Sequence, residues 1–132
     1  MRLEDRLRAV PAPTGPGGDI DETGDTVHLG WKDGDDVQVL TLPSDGVSDL
    51  LQVVLHLAAG VGAKHQIHPR DVVAAKKVSR AHQATGIAHL GRAEDKEILG
   101  IVIGNAYTQV ALTADQARRL AEAILKSVNQ PG

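Results

Sequence analysis

The stretch "ILGIVIGNAYTQVALTADQARRLAEAILKSV", residues 98–128, decides the fold class because it contains a strand, a turn, a second strand and a helix in succession. The run "ILGIVI" has the length and β-branched content of a strand at the centre of a sheet. Gly104 and Asn105 are typical of a two-residue hairpin turn. The segment "AYTQVALT" is therefore predicted to return as the antiparallel partner strand.

A helix follows this hairpin. Thr113 and Gln116 have the spacing of a capping box, in which each side chain accepts a hydrogen bond from the other residue's backbone N–H. Behind the box, apolar residues recur at helical spacing: Ala114, Ala117, Leu120, Ala121, Ile124, Leu125 and Val128. The pattern predicts a helix with one apolar face, ending at Asn129. Its Ala/Leu/Arg composition is of a kind common in bacterial proteins.

The first half of the chain has the same order of elements. "TVHLGW" alternates, with Val27, Leu29 and Trp31 on one side, and "DVQVLTL" resumes the alternation after the turn "KDGD". The next segment, "PSDGVSDLLQVVLHLAAG", changes to helical spacing, with Ser44 or Asp45 as the cap and Gly60 at the end.

Together these patterns predict an α+β protein. We expect an antiparallel sheet of two β-hairpins plus an added strand, with two main helices packed on one face. The shared order of the halves suggests a ββα or βββα pseudo-repeat. Residues 1–25 are predicted to form a short N-terminal helix and a Pro/Gly-rich arm, and residues 26–132 a single domain. In the ambiguous stretch 69–84, Pro69 favours a short helix or turn near 69–75, followed by a strand from about residue 77.

The helix predicted over residues 47–58 is more apolar than one sheet requires. Its polar residues Asp49, Gln52 and His56 form only a narrow stripe. Such a helix is either sandwiched within the fold or buries its second side in a dimer. The predicted dimer contact consists of Leu50, Leu51, Val54 and Leu57.

Composition excludes several classes of function. The chain has no cysteine, which rules out disulfides, thiolate metal sites and a cysteine nucleophile. Trp31 and Tyr107 are its only aromatic residues, so no aromatic platform for bases or sugars is expected. The first residues, "MRLEDRLRAV", lack the apolar run typical of a secretory signal, and no stretch has membrane-spanning length. We therefore expect a cytoplasmic protein without a membrane partner.

The net charge of −3 conceals an acidic block at 19–36 and a basic block at 64–80. The basic block suggests a nucleic-acid-associated protein as one alternative function. The residues that would contact phosphates are Lys64, Arg70, Lys76, Lys77 and Arg80. Against this alternative, the chain as a whole is acidic and no clustered aromatic residues accompany the basic ones.

The segment "KHQIHPRD", residues 64–71, suggests a second alternative. His65, His68 and Asp71, joined by His82 or by His89, have side chains suited to zinc or another divalent metal. The flanking Lys64 and Arg70 oppose cation binding, and the His-Glu-x-x-His pattern of zinc proteases is absent.

No catalytic motif is present. The serines lie outside a G-x-S-x-G elbow, and "GVGAK" at 60–64 lacks the spacing of a phosphate-binding loop. The acidic turn at 33–36 lacks the closing Glu of a calcium loop. The sequence therefore favours a non-enzymatic binding or assembly module, acting as a homodimer or as an adaptor for another protein and holding no cofactor.

Overall fold

The computed structural model describes residues 2–11, 14–71 and 81–131, in which two sets of three strands alternate with helices. The helices are α1 (Leu3–Ala9), α2 (Val47–His65) and α3 (Ala114–Val128). The strands are β1 (Thr14–Ile20), β2 (Thr26–Asp33), β3 (Asp36–Pro43), β4 (Gly86–Ala93), β5 (Lys96–Ile103) and β6 (Ala106–Thr113). A short 3-10 turn, Ser44–Gly46, joins β3 to α2.

The predicted α+β class is confirmed, and both hairpins have the expected antiparallel pairing. The strands are divided between two sheets instead of forming one. Sheet 1 has the order β1-β2-β3 and sheet 2 the order β4-β5-β6. Each hairpin acquires a third strand from the segment that precedes it in the chain, so neither hairpin pairs with the other.

The Pro/Gly-rich segment differs from the expected arm, because residues 14–20 form strand β1. It pairs with β2 over its full length, from Thr14 opposite Asp33 to Ile20 opposite Val27. An edge strand tolerates proline because the missing N–H can face solvent. The chain divides into two compact units, Met1–Val53 and Val54–Gly132, and the division into domains at residue 26 stays a prediction.

Helix α1 packs on one face of sheet 1. Leu3 and Leu7 are each 6% exposed and are the most deeply buried apolar side chains in the described part of the chain. A Cβ atom on Gly30 would lie 2.5 Å from Leu7 Cδ1, and one on Gly17 would lie 2.7 Å from Leu7 Cδ2. These glycines therefore let the helix approach the strands closely. Lys32 donates hydrogen bonds to two carbonyls at the end of α1.

Sheet 2 has β5 at its centre, as the run "ILGIVI" predicts. The predicted capping box is confirmed: Thr113 Oγ1 accepts from the Gln116 N–H at 3.1 Å, and Gln116 Oε1 accepts from the Thr113 N–H at 2.9 Å. The capped helix α3 then lies against β5 and β6.

The two hairpins have the same geometry at an offset of 70 residues. β5 begins at residue 96 where β2 begins at 26, and β6 begins at 106 where β3 begins at 36. Both registers also match at this offset, and the first turn residues, Gly34 and Gly104, have φ angles of 62° and 59°. Positive φ at this position is typical of type II′ hairpin turns. Positions in the two hairpins can therefore be compared one for one.

Helix α2 is longer than predicted, because it continues through Gly60 to His65. Gly60 is not among the glycines with positive φ, so it stays helical instead of ending the helix. A glycine inside a helix costs about 1 kcal/mol relative to alanine, and a helix of 19 residues tolerates this cost. Residues 69–71 are helical, as predicted, and β4 begins only at Gly86. The remainder of the predicted 69–75 helix and the expected strand start at residue 77 lie outside the described residues.

Candidate functional site

Helix α2 presents apolar side chains to solvent along most of its length. Val54 is 51% exposed, Leu57 61% and Val61 55%. With the half-buried Leu50 these residues recur at helical spacing, so they form one stripe, which we call the α2 stripe: Leu50, Val54, Leu57 and Val61. A contiguous exposed apolar stripe is typical of a surface that binds another molecule.

The predicted dimer contact falls partly on this stripe. Val54 and Leu57 are exposed, and Leu50 and Leu51 are half-buried. Asp49, Gln52 and His56, the predicted polar positions, are all exposed. The helix therefore exposes both a polar side and an apolar side to solvent. The dimer contact through its apolar side stays a prediction.

Sheet 1 has a second apolar surface, on the face opposite α1. The helix packs over Gly17 and Gly30, and the neighbouring residues of each strand point the other way. We call this surface the open face; its exposed members are Ile20 (67%), Leu29 (41%), Trp31 (52%) and Leu40 (51%). The alternation of Leu29 and Trp31 was visible in the sequence. That α1 covers the other side was not, because the pairing of β1 places the glycines there.

The four residues of the predicted metal site lie in or after the end of α2. His65 is in the last turn of the helix, and His68, Asp71 and His82 are exposed beyond it. His68 Nδ1 already accepts a hydrogen bond from the Arg70 backbone N–H at 3.1 Å. Within residues 2–11, 14–71 and 81–131, no three histidine or acidic side chains are grouped so that they could hold a metal ion. Metal binding stays a prediction.

The basic residues predicted to contact nucleic acid are only partly described. Lys64 and Arg70 are exposed, near the end of α2 and in the helical turn at 69–71 respectively. Lys76, Lys77 and Arg80 lie outside the described residues. The nucleic-acid hypothesis therefore also stays a prediction.

A charged cluster lies at one edge of sheet 2, beside the face that α3 covers. Glu97 Oε2 accepts from Arg92 Nε at 2.5 Å, and Glu97 Oε1 lies 3.0 Å from His89 Nε2. The hydrogen bond from Arg92 lowers the pKa of Glu97; desolvation opposes this shift, and the hydrogen bond from His89 adds to it. A general base needs a pKa near the working pH, so this ionised carboxylate is better suited to holding strands together than to proton transfer.

An apolar groove of about 230 Å³ adjoins this cluster, between α3 and sheet 2. Besides His89 and Glu97, its walls are the side chains of Leu99, Leu112, Ala117, Leu120, Ala121 and Ile124. The groove marks the packing of α3 on the sheet, and it identifies the face of sheet 2 that carries Leu99 and Leu112 as the helix-covered one.

A second acidic turn, at residues 21–25 between β1 and β2, is held by one carboxylate. Asp21 Oδ1 accepts from Thr23 Oγ1, from the Asp25 N–H and from the Thr26 N–H at 3.1–3.3 Å. Desolvation raises the pKa of Asp21, but these hydrogen bonds outweigh it and the net shift is downward. The carboxylate therefore serves as the acceptor that closes the turn.

Comparison with known proteins gives no relative: no family model, curated protein or solved structure matches this chain. Among the described residues, no helix combines the length and hydropathy needed to cross a membrane.

Proposed function

We propose that this protein is a non-enzymatic assembly module that associates with a second copy of itself through helix α2. The observation that carries the proposal is the exposure of the α2 stripe, above all of Leu57 at 61%. Leaving a row of large aliphatic side chains in water is unfavourable, and burial against a partner recovers about 25 cal/mol for each Å². A homodimer is the commonest way in which a soluble chain buries such a surface.

The magnitude at Leu57 can be estimated from its exposure. Complete burial of a leucine is worth about 1.5–3 kcal/mol, so burial of the exposed 61% contributes about 1–2 kcal/mol. A two-fold dimer uses each residue twice, which gives about 2–4 kcal/mol for the pair. Loss of this contribution raises the dissociation constant roughly 30- to 700-fold.

The test is the mass in solution of the wild-type protein and of Leu57→Glu, measured by light scattering over a range of concentrations. We expect twice the mass of one chain for the wild type and a single chain for Leu57→Glu. The matched control is His56→Glu, which places the same charge one residue away on the polar side of the helix. It should stay dimeric. A wild type that is monomeric at all concentrations refutes the proposal.

A further inference from the structure

We propose that, in the dimer, the α2 helix of each copy packs on the open face of sheet 1 of the other copy. The inference rests on the proposed function, because it requires self-association, and it adds the surface that receives the helix. It starts from the 70-residue correspondence between the two hairpins.

The correspondence shows that the open face is a helix-binding surface. On sheet 2, helix α3 covers the face that contains Leu99 and Leu112. Seventy residues earlier, the same positions of sheet 1 are Leu29 and Leu42. The hairpins thus present matching leucines in the same register: α3 covers those of sheet 2, and Leu29 of sheet 1 is 41% exposed.

The remaining positions of the open face also fit a helix. Trp31 occupies the place of Ile101, and Leu40 occupies the place of Val110. Cross-strand partners share a face, so Leu29 and Leu40, which are paired, lie side by side. Trp31 is two residues from Leu29 on the same strand and therefore on the same face.

The order of the chain identifies the occupant. Helix α3 follows the second strand of its hairpin directly, and α2 follows the second strand of the other hairpin after one 3-10 turn. α2 is thus the counterpart of α3, yet its apolar stripe and the open face are both exposed to solvent. Two copies remove both surfaces from water at once if each inserts its α2 on the other's sheet, which is the reciprocal exchange that a two-fold dimer requires.

The areas are sufficient for a stable dimer. From the exposed fractions, the open face and the α2 stripe together offer roughly 700 Å² for each partner, within the roughly 600–1,000 Å² of a standard interface. Either surface alone offers about half of that. The reciprocal arrangement is therefore the one that reaches the area of a specific interface.

The charges near the two surfaces favour a partner helix that lies antiparallel to β3. When the partner's α2 lies antiparallel to β3, its C-terminal end approaches the β2–β3 turn, where Asp33, Asp35 and Asp36 are exposed. The C-terminal end of α2 carries Lys64, which is also exposed. In this placement the cation approaches the three carboxylates, and a dimer with this contact weakens as salt is added.

Trp31 provides the first test, because it is the only tryptophan of the chain and lies at the centre of the open face. Its emission should shift to the blue as the protein concentration rises through the dimer transition, and it should stay at the wavelength of exposed tryptophan in Leu57→Glu. A dimer by light scattering in which Trp31 emission does not change refutes the inference and leaves the proposed function standing.

Disulfide trapping provides the second test, and it benefits from a chain without cysteine. Protein with Leu40→Cys is mixed with protein carrying Leu57→Cys, and the mixture is treated with a mild oxidant. We expect a cross-linked dimer that contains one chain of each kind. The matched control, His56→Cys mixed with Leu40→Cys, should form no such product.

The other outcomes separate the alternatives. Efficient cross-linking of Leu57→Cys to itself indicates that two α2 helices pack together, which overturns the inference but not the dimer. A double variant, Leu40→Cys with Leu57→Cys, that forms only an internal disulfide in a monomer indicates that each chain closes α2 on its own sheet. That result overturns both the inference and the proposed function.

Discussion

Replacement of Leu7 by alanine tests how helix α1 is held on sheet 1. Leu7 is 6% exposed and lies across Gly17 and Gly30, with the side chain of Leu3 beside it. The lost carbons, one methine and two methyl groups, are together worth about 2.4 kcal/mol in transfer free energy, at about 0.8 kcal/mol for each carbon. A residual cavity adds to this, but a helix of seven residues can move to close part of it.

We therefore expect Leu7→Ala to lower the free energy of unfolding by about 3 kcal/mol. The measurement is urea unfolding at a fixed protein concentration, followed by Trp31 emission, since Trp31 lies on the same sheet. The matched control is Val128→Ala, an aliphatic truncation at a side chain that is 72% exposed, which should change the stability by less than about 0.5 kcal/mol.

The reasoning is refuted if Leu7→Ala and Val128→Ala have equal effects, because Leu7 is then not buried against the strands. If Leu7→Ala does not fold, Leu7→Met replaces it. This substitution nearly conserves the volume and should cost less than about 1.5 kcal/mol.

Two further predictions concern sheet 2. In the β4–β5 turn, Glu94 and Asp95 have φ angles of 50° and 65°, which cost non-glycine residues about 1–2 kcal/mol each. Changing the pair to Asn-Gly should therefore raise the free energy of unfolding, measured in urea, by about 1–2 kcal/mol. An unchanged or lower value contradicts the left-handed turn. Because the folded pKa of Glu97 is lowered from its ordinary value of 4.5, its stabilising effect is complete above that value and is lost as the pH falls through the folded pKa. The melting temperature of Glu97→Gln should accordingly be lower than that of the wild type at neutral pH, and the difference should decrease in acid. A difference in melting temperature that does not depend on pH contradicts the ion-pair role.

The parts of the fold that the sequence predicts are those determined by neighbouring residues. The turn at Gly104 and Asn105 and the box of Thr113 and Gln116 act within three or four positions, so they can be recognised without knowledge of the rest of the chain. The alternation around Leu29 and Trp31 likewise indicates a strand before any partner is known.

What the sequence does not predict depends on distant pairing. Four of the seven residues of β1 are glycine or proline. It is a strand because β2 pairs with it and α1 covers Gly17. The separation into two sheets has the same origin, since local patterns say where strands are but not which strands meet. Of the candidate site, Val54 and Leu57 were identified from helical spacing, whereas the open face required knowledge of where α1 lies.

Strand β1 also affects how the protein avoids the wrong kind of association. It is an edge strand of sheet 1, and unpaired strand edges recruit other strands into open-ended aggregates. Pro16 offers no N–H to an incoming strand, and Gly17 and Gly18 offer it no side chain for cross-strand packing. The composition that makes β1 hard to recognise thus also blocks growth along the hydrogen-bonding direction of this edge. In the proposed dimer, the Pro/Gly composition of β1 therefore limits further addition of chains at this edge.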